Sequence, residues 1–238
     1  MTDILLIHGA CHGAWCWADL IPELEALGHA ARAIDLPGMG ADRTSISDIT
    51  LASTAQAVVD AATPDTLVVG HSWGGMVIGE AAGMAPGGMA GLVLLAAYVP
   101  QPGLSLKNLR DLSPWPASAA KLIVSEDRRS VSFPREAAAG LFYGTCRPSA
   151  REYALDRLCP QPASPQSEPA TLGAGWDATP KHFIMTLQDR TIVTDYQRQM
   201  VADWPAGTVH DIDTDHSPFL SDPAGLAAIL DRIARGLD

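Results

Sequence analysis

The sequence has little of what would commit a chain to a special environment. Cysteine is scarce, with only Cys11, Cys16, Cys146 and Cys159 among 238 residues. No C-x-x-C pair or Cys/His ligand spacing links them, so no metal site is expected. A thiol nucleophile at Cys11 is a formal alternative to four buried, inert thiols, the usual state of free cysteine. A reducing cytoplasm is the expected setting. Basic charge is also short: 16 Lys and Arg face 27 Asp and Glu, a net charge of -11. That balance speaks against nucleic acid or an anionic membrane surface as partner. No apolar run approaches the ~18 residues of a membrane span. The opening MTDILLIHG has no basic n-region and an apolar run of only ILLI, so no secretory signal is expected.

What is present is a rhythm. Ile4 to His8 is a short apolar run of strand length, and Trp15 to Leu27 carries apolar residues at helical spacing before the stop signal Gly28. Ala31 to Asp35 follows as a strand, Ser53 to Ala62 as a helix, TLVVG as a strand, Met76 to Gly83 as a helix and Gly91 to Ala97 as a strand. Such alternation predicts an α/β fold with a mostly parallel sheet and helices on both faces. From Tyr98 to Pro180 the strand rhythm stops, and this stretch holds 11 of the 18 prolines. Arg135 to Gly144 and Ser149 to Leu158 read as helices within it. The rhythm returns with a strand at His182 to Leu187, a helix at Thr194 to Asp203, a strand at Gly207 to Ile212 and one helix from Pro218 to Arg235. The expected organisation is therefore a core of residues 1–97 and 181–238, interrupted by a mostly helical insertion at 98–180.

Between the strand TLVVG and the following helix stands GHSWG. This is G-x-S-x-G in the strand–turn–helix context where the pattern has chemical meaning: the turn lifts Ser72 above the sheet, and Gly70 and Gly74 let strand and helix approach. A serine there needs a base, and the base needs an acid to fix its tautomer, in the chain order Ser, Asp or Glu, His. His182 and His210 fall inside strands and read as packed or partly exposed. His216 follows the last strand, where ligands bind in parallel sheets. Asp189 follows the strand before it. Asp195 falls inside the next helix, and Asp215 adjoins His216 in sequence and reaches its ring poorly. The expected trio is Ser72, Asp189 and His216. The amides of Trp73 and Ala10 are the expected oxyanion donors. His12 reads as a residue fixing its own loop, His71 as facing away from Ser72, and Asp35 as stabilising a turn.

The segments HGACHGAWCW, DLPGMGADRT, GHSWGG, LFYGTCRPSAREYALDRLCPQP, LQD and DHSPFLSDP together resemble the α/β-hydrolase branch of plant methylesterases, the salicylate-binding esterase, hydroxynitrile lyases and their bacterial esterase relatives. The resemblance implies the same trio and the same two amides, a cap formed by 98–180, no metal and no cofactor. Members of the branch often dimerise, which raises a homodimer. The lyases of this branch carry a threonine after the first-strand histidine and a lysine after the catalytic histidine. Gly9 and Ser217 stand there, which favours ester hydrolysis over cyanohydrin cleavage. The expected substrate is a small or medium ester with an apolar or aromatic portion. Gly9, Ser217 and Trp115 are expected at its pocket, and Phe133, Phe142, Tyr143 and Trp176 offer further aromatic surface. A carbon–carbon lyase and a slowly turning-over ligand receptor on the same fold are the alternatives.

Overall fold

The computed structural model describes residues 1–115 and 122–237. Six strands form one sheet: β1 (Asp3–Ile7), β2 (Ala30–Ile34), β3 (Thr66–His71), β4 (Gly91–Leu95), then β8 (Lys181–Thr186) and β9 (Val209–Ile212), after three short strands described below. Their order across the sheet is β2-β1-β3-β4-β8-β9, and every pairing is parallel. Because both faces are covered, the central strands β1, β3 and β4 carry near-continuous buried apolar runs rather than alternating ones. Ile4 and Leu6 join one core, under α1 (Leu20–Ala26) and α11 (Pro223–Arg235). Leu5 and Ile7 join the other, under α2 (Leu51–Ala61) and α3 (Gly74–Met84). All four are fully buried, and each such side chain contributes about 1.5–3 kcal/mol by leaving water.

Two expected helices are each divided, and proline divides both. The Trp15–Leu27 segment is a 3₁₀ turn at Ala14–Trp17 followed by α1. A helix running through from Trp15 would drive the Pro22 ring into the carbonyl of Ala18. Pro218 to Arg235 is likewise two helices, α10 (Pro218–Ser221) and α11. Pro223 cannot continue α10. Asp222 leaves the helical conformation and caps α11, its Oδ1 accepting from Gly225 N at 3.0 Å.

Between β4 and β8 lie α4 (Leu106–Asp111), α5 (Arg135–Phe142), α6 (Pro148–Leu155), α7 (Ser164–Ser167) and α8 (Ala174–Ala178). They are joined by an antiparallel sheet of β5 (Ile123–Val124), β6 (Ser130–Ser132) and β7 (Gln161–Pro162), which the sequence pattern did not reveal. Within this segment, residues 116–121 lie outside the described residues. α9 (Thr194–Met200) follows β8. Among the described residues no helix is long and apolar enough to cross a membrane.

Candidate active site

β3 ends at His71 and α3 begins at Gly74, so Ser72 and Trp73 make the whole turn. The reversal holds Ser72 in the left-handed region, with φ of +54°. A non-glycine residue there costs on the order of 1–3 kcal/mol and persists only where its surroundings impose it. Here Ser72 N donates to Leu95 O at 3.1 Å, and its carbonyl accepts from Gly75 N at 3.1 Å and Tyr98 N at 3.4 Å. A methyl group at Gly74 would lie 2.9 Å from His8 O, and one at Gly70 would lie 2.7 Å from Gly74 O. The close crossing of α3 over β1 and β3 therefore requires both glycines.

His216 lies between β9 and α10, and Asp189 lies just past β8. His216 Nδ1 stands 2.7 Å from Asp189 Oδ2. With that proton donated to the carboxylate, Nε2 keeps the free lone pair. Asp189 is itself fixed: Oδ1 accepts from Thr191 N at 2.7 Å and Ile192 N at 3.0 Å, and Oδ2 also accepts from Thr186 Oγ1 at 2.9 Å and Gln197 Nε2 at 3.0 Å. Gln197, fully buried, additionally donates to Ile192 O at 2.6 Å and accepts from Thr186 N at 3.1 Å.

Ser72, Trp73, Ala10 and His216 line one cavity, together with Leu106, Trp115, Val131, Phe133, Leu141 and Phe142. Among the described residues neither the Ala10 nor the Trp73 amide is hydrogen-bonded within the chain. The free Trp73 N–H at the N-terminus of α3 and the free Ala10 N–H in the loop after β1, on residues lining the same cavity as Ser72, are suited to an oxygen that gains negative charge. No hydrogen bond joins Ser72 Oγ to His216 among the described residues, a looseness common before substrate binds. Arg110, exposed and without an acidic partner among the described residues, and the partly exposed Ser113 and Leu122 complete one wall.

Three buried histidines support this arrangement. His12 Nδ1–H donates to Ala10 O at 2.7 Å, so its Nε2 accepts from Tyr143 O–H at 2.7 Å. Burial pulls its pKa down to about 3. His8 Nδ1–H donates to Gly9 O at 2.9 Å, its Nε2 accepts from Leu36 N at 3.0 Å, and burial lowers its pKa to about 4. His71 Nε2–H donates to His216 O at 2.8 Å, and the two rings lie 4.6 Å apart. Burial, reinforced by the neighbouring His216, holds the His71 pKa well below the ordinary imidazole value.

These contacts correct some expectations and agree with others. His71 does not simply face away from the site: it lines the cavity and braces the His216 loop. Gly9 and Ser217 are not cavity-lining residues. Gly9 sits behind the turn, where a methyl group would come within 2.7 Å of His71 Nδ1 and 3.0 Å of Ser72 Cβ. Ser217 is fully buried ahead of α10, with its hydroxyl unpaired. Of the aromatic residues, Trp115, Phe133 and Phe142 line the cavity, whereas Tyr143 stands behind His12. Trp176 packs on α3 beside Gly79. Asp195 pairs with Arg198 at the surface. Asp215 braces loops: Oδ1 accepts from Ser217 N and Ser221 Oγ, and Oδ2 from Thr145 N at 2.8 Å and Cys146 Sγ at 3.6 Å. Asp35 holds two turns through Ala14 N and Ala41 N. Burial pushes the Cys11 thiol up to about 12, which leaves it un-ionised at neutral pH. Thr186, Gln197 and Gln161 escaped the sequence reading. Gln197 stands in the polar run TDYQRQM, which gives no sign that it faces inward.

The chain matches the model of the alpha/beta hydrolase family over residues 4–229. It is a member of that family. Within the family it is 33% identical over 250 residues to methylesterase 3 of Arabidopsis thaliana, an alignment covering 97% of this chain and 95% of the relative. It is 28% identical to methyl jasmonate esterase 1 of Vitis vinifera, with 96% of this chain and 95% of that protein covered. Among solved structures, a pyrethroid hydrolase from Sphingobium faniae superposes with a TM-score of 0.85 at 26% identity, covering 98% of this chain and 97% of the other. These relatives agree with the branch resembled by the motifs, and this hydrolase is an enzyme of the esterase type.

Proposed function

We propose that the protein hydrolyses small to medium carboxylic esters with an apolar or aromatic portion, through an acyl-enzyme on Ser72. The observation that carries the reading is the strained Ser72 at the floor of a cavity shared with His216, whose Nδ1 is held by Asp189. In this mechanism Ser72 Oγ attacks the ester carbonyl carbon, and its proton passes to His216 Nε2. The carbonyl oxygen becomes an oxyanion held by the amides of Ala10 and Trp73. The carbon–oxygen bond to the alcohol then breaks, and His216 returns the proton to the departing alcohol. Water, deprotonated by His216, attacks the acyl carbon and releases the acid, restoring Ser72. Asp189 keeps the imidazole in the required tautomer and stabilises its charged form. Leu106, Trp115, Val131, Phe133, Leu141 and Phe142 suit an apolar acyl or alcohol group, with residues 98–180 acting as a cap.

Cyanohydrin cleavage is less well supported, because Ser217 places no cation beside His216 to receive an anionic leaving group. The test is a panel of methyl, aryl and p-nitrophenyl esters of graded acyl length, run beside mandelonitrile at equal enzyme concentration. Ester turnover that exceeds cyanide release corrected for spontaneous decomposition is expected. Cyanide release faster than hydrolysis of every ester in the panel overturns the assignment.

A further inference from the structure

The loop after β1 is bent in a way its own residues do not explain. Cys11 has φ of +63°, again the left-handed region, in a side chain with no local hydrogen-bonding advantage there. Both of its backbone groups are taken by the segment between β4 and β8. Cys11 N donates to Gln161 Oε1 at 3.2 Å, and Cys11 O accepts from Cys159 N at 2.9 Å. The carbonyls on either side are held as well. His12 O accepts from Cys159 Sγ at 3.4 Å, and Ala10 O accepts from His12 Nδ1, whose ring is fixed in turn by Tyr143 O–H. Gln161, Tyr143 and Cys11 are essentially inaccessible to solvent. Among the described residues the Ala10 amide has no acceptor, and Ala10 borders the cavity.

We propose that Gln161 and Tyr143 are positioning residues for the oxyanion hole: they hold the loop of residues 9–12 in the strained shape that presents the Ala10 amide to the substrate oxygen. Gln161 acts directly on the Ala10–Cys11 peptide, because its side-chain oxygen is the acceptor for that peptide's N–H. Tyr143 acts on the same peptide from the other side, through His12 and the Ala10 carbonyl. The peptide plane is gripped at both ends, and the amide one residue earlier inherits its direction. The segment that covers the site therefore also completes it. This inference rests on the esterase reading.

The test uses three variants of the full chain. Gln161→Met keeps the side-chain volume and removes the acceptor. Gln161→Glu keeps an acceptor oxygen at the same reach. Tyr143→Phe removes only the hydroxyl. Each is assayed for kcat and KM on an ester that wild type hydrolyses. Each is also assayed for affinity toward the matching trifluoromethyl ketone, which forms a tetrahedral adduct on a serine, and toward the corresponding unreactive alcohol. Losing one donor of such a hole lowers kcat by about 10²–10³, so displacing one is expected to lower kcat at least ~30-fold in Gln161→Met and ~10-fold in Tyr143→Phe, with KM within ~3-fold. Affinity for the ketone should fall in step while that for the alcohol holds, and Gln161→Glu should recover most of the loss. A purely structural role would lower thermal stability and leave kcat per folded molecule and the ketone-to-alcohol ratio unchanged. That outcome in Gln161→Met and Tyr143→Phe overturns the proposal, as does an equal loss for both ligands. Wild type that hydrolyses no ester removes this inference together with the reading beneath it. Activity lost in Ser72→Ala but kept in Gln161→Met removes this inference alone.

Discussion

Replacing the hydroxyl of Ser72 by hydrogen should leave the fold intact, because among the described residues no hydrogen bond depends on that oxygen. In Ser72→Ala, ester hydrolysis should fall by several orders of magnitude, leaving what binding and the amide pair supply. A fluorophosphonate should label wild type once and the variant not at all; a variant that is still labelled places the nucleophile elsewhere. Asp189→Asn should lower kcat by roughly 10⁴-fold, the loss met when a triad aspartate is amidated on another fold, since the amide favours the wrong tautomer of His216. Asp195→Asn, altering a surface pair, should change kcat little, and a reversal of the two results would refute the assignment of the acid. The residues of this constellation that were legible in the sequence are those whose order and strand-end position are dictated by the fold: Ser72, Asp189 and His216. Gln197, Thr186 and His71 were not, because a buried polar partner is defined by what faces it across the fold. Neither composition nor period carries that information.

At the scale of elements, the two glycines of the turn and a third in α5 make opposite predictions. Gly74→Ala forces a methyl group to 2.9 Å from His8 O and 3.0 Å from Ile7 O, both backbone atoms that cannot easily give way. Overpacking of this kind costs about 1–3 kcal/mol. It should also tilt α3 and slow fluorophosphonate labelling of Ser72. Gly140 lies within α5, and a methyl group there meets nothing within 4 Å. Gly140→Ala should therefore stabilise the protein by about 0.5–1 kcal/mol through helix propensity. Urea midpoints of the two variants should move in opposite directions, and a shared direction would mean that the close crossing is not what glycine provides. Most elements of the sheet layer were legible because each strand is a short apolar run bounded by turn signals. The breaks at Pro22 and Pro223 were legible in principle, since proline forbids the helix that periodicity alone suggests. The small sheet of β5, β6 and β7 was not: strands of two or three residues carry no period to detect.

For the whole molecule, the buried histidines set a limit on acid tolerance. The pKa values of His8 and His12 fall from the ordinary 6.5 to about 4 and about 3, and those of His71, His182 and His210 are also lowered, in each case chiefly by burial. Well above pH ~6.5, from about pH 8, these groups are neutral in both folded and unfolded chains and contribute no pH dependence. As pH falls through ~6.5 the unfolded chain takes up protons that these folded-state sites refuse, so stability falls with falling pH. For His8 the depression from 6.5 to about 4 amounts to roughly 3 kcal/mol lost by pH 4. The urea midpoint should therefore drop steadily between pH 7 and pH 5; a constant midpoint over that interval would mean these rings are protonated in the native state. A last consequence concerns traffic. The Asp215 carboxylate ties the loop carrying His216 to Thr145 and Cys146, so a shift of those residues would disturb the base. Arg110, Ser113, Trp115 and Leu122 also line the cavity, and Arg110 is exposed. Hydrolysis turns a neutral ester into a carboxylate that a chain of net charge -11 repels. Arg110, the one Lys or Arg among the described lining residues, attracts that carboxylate while the net charge repels it, and the neutral ester feels neither.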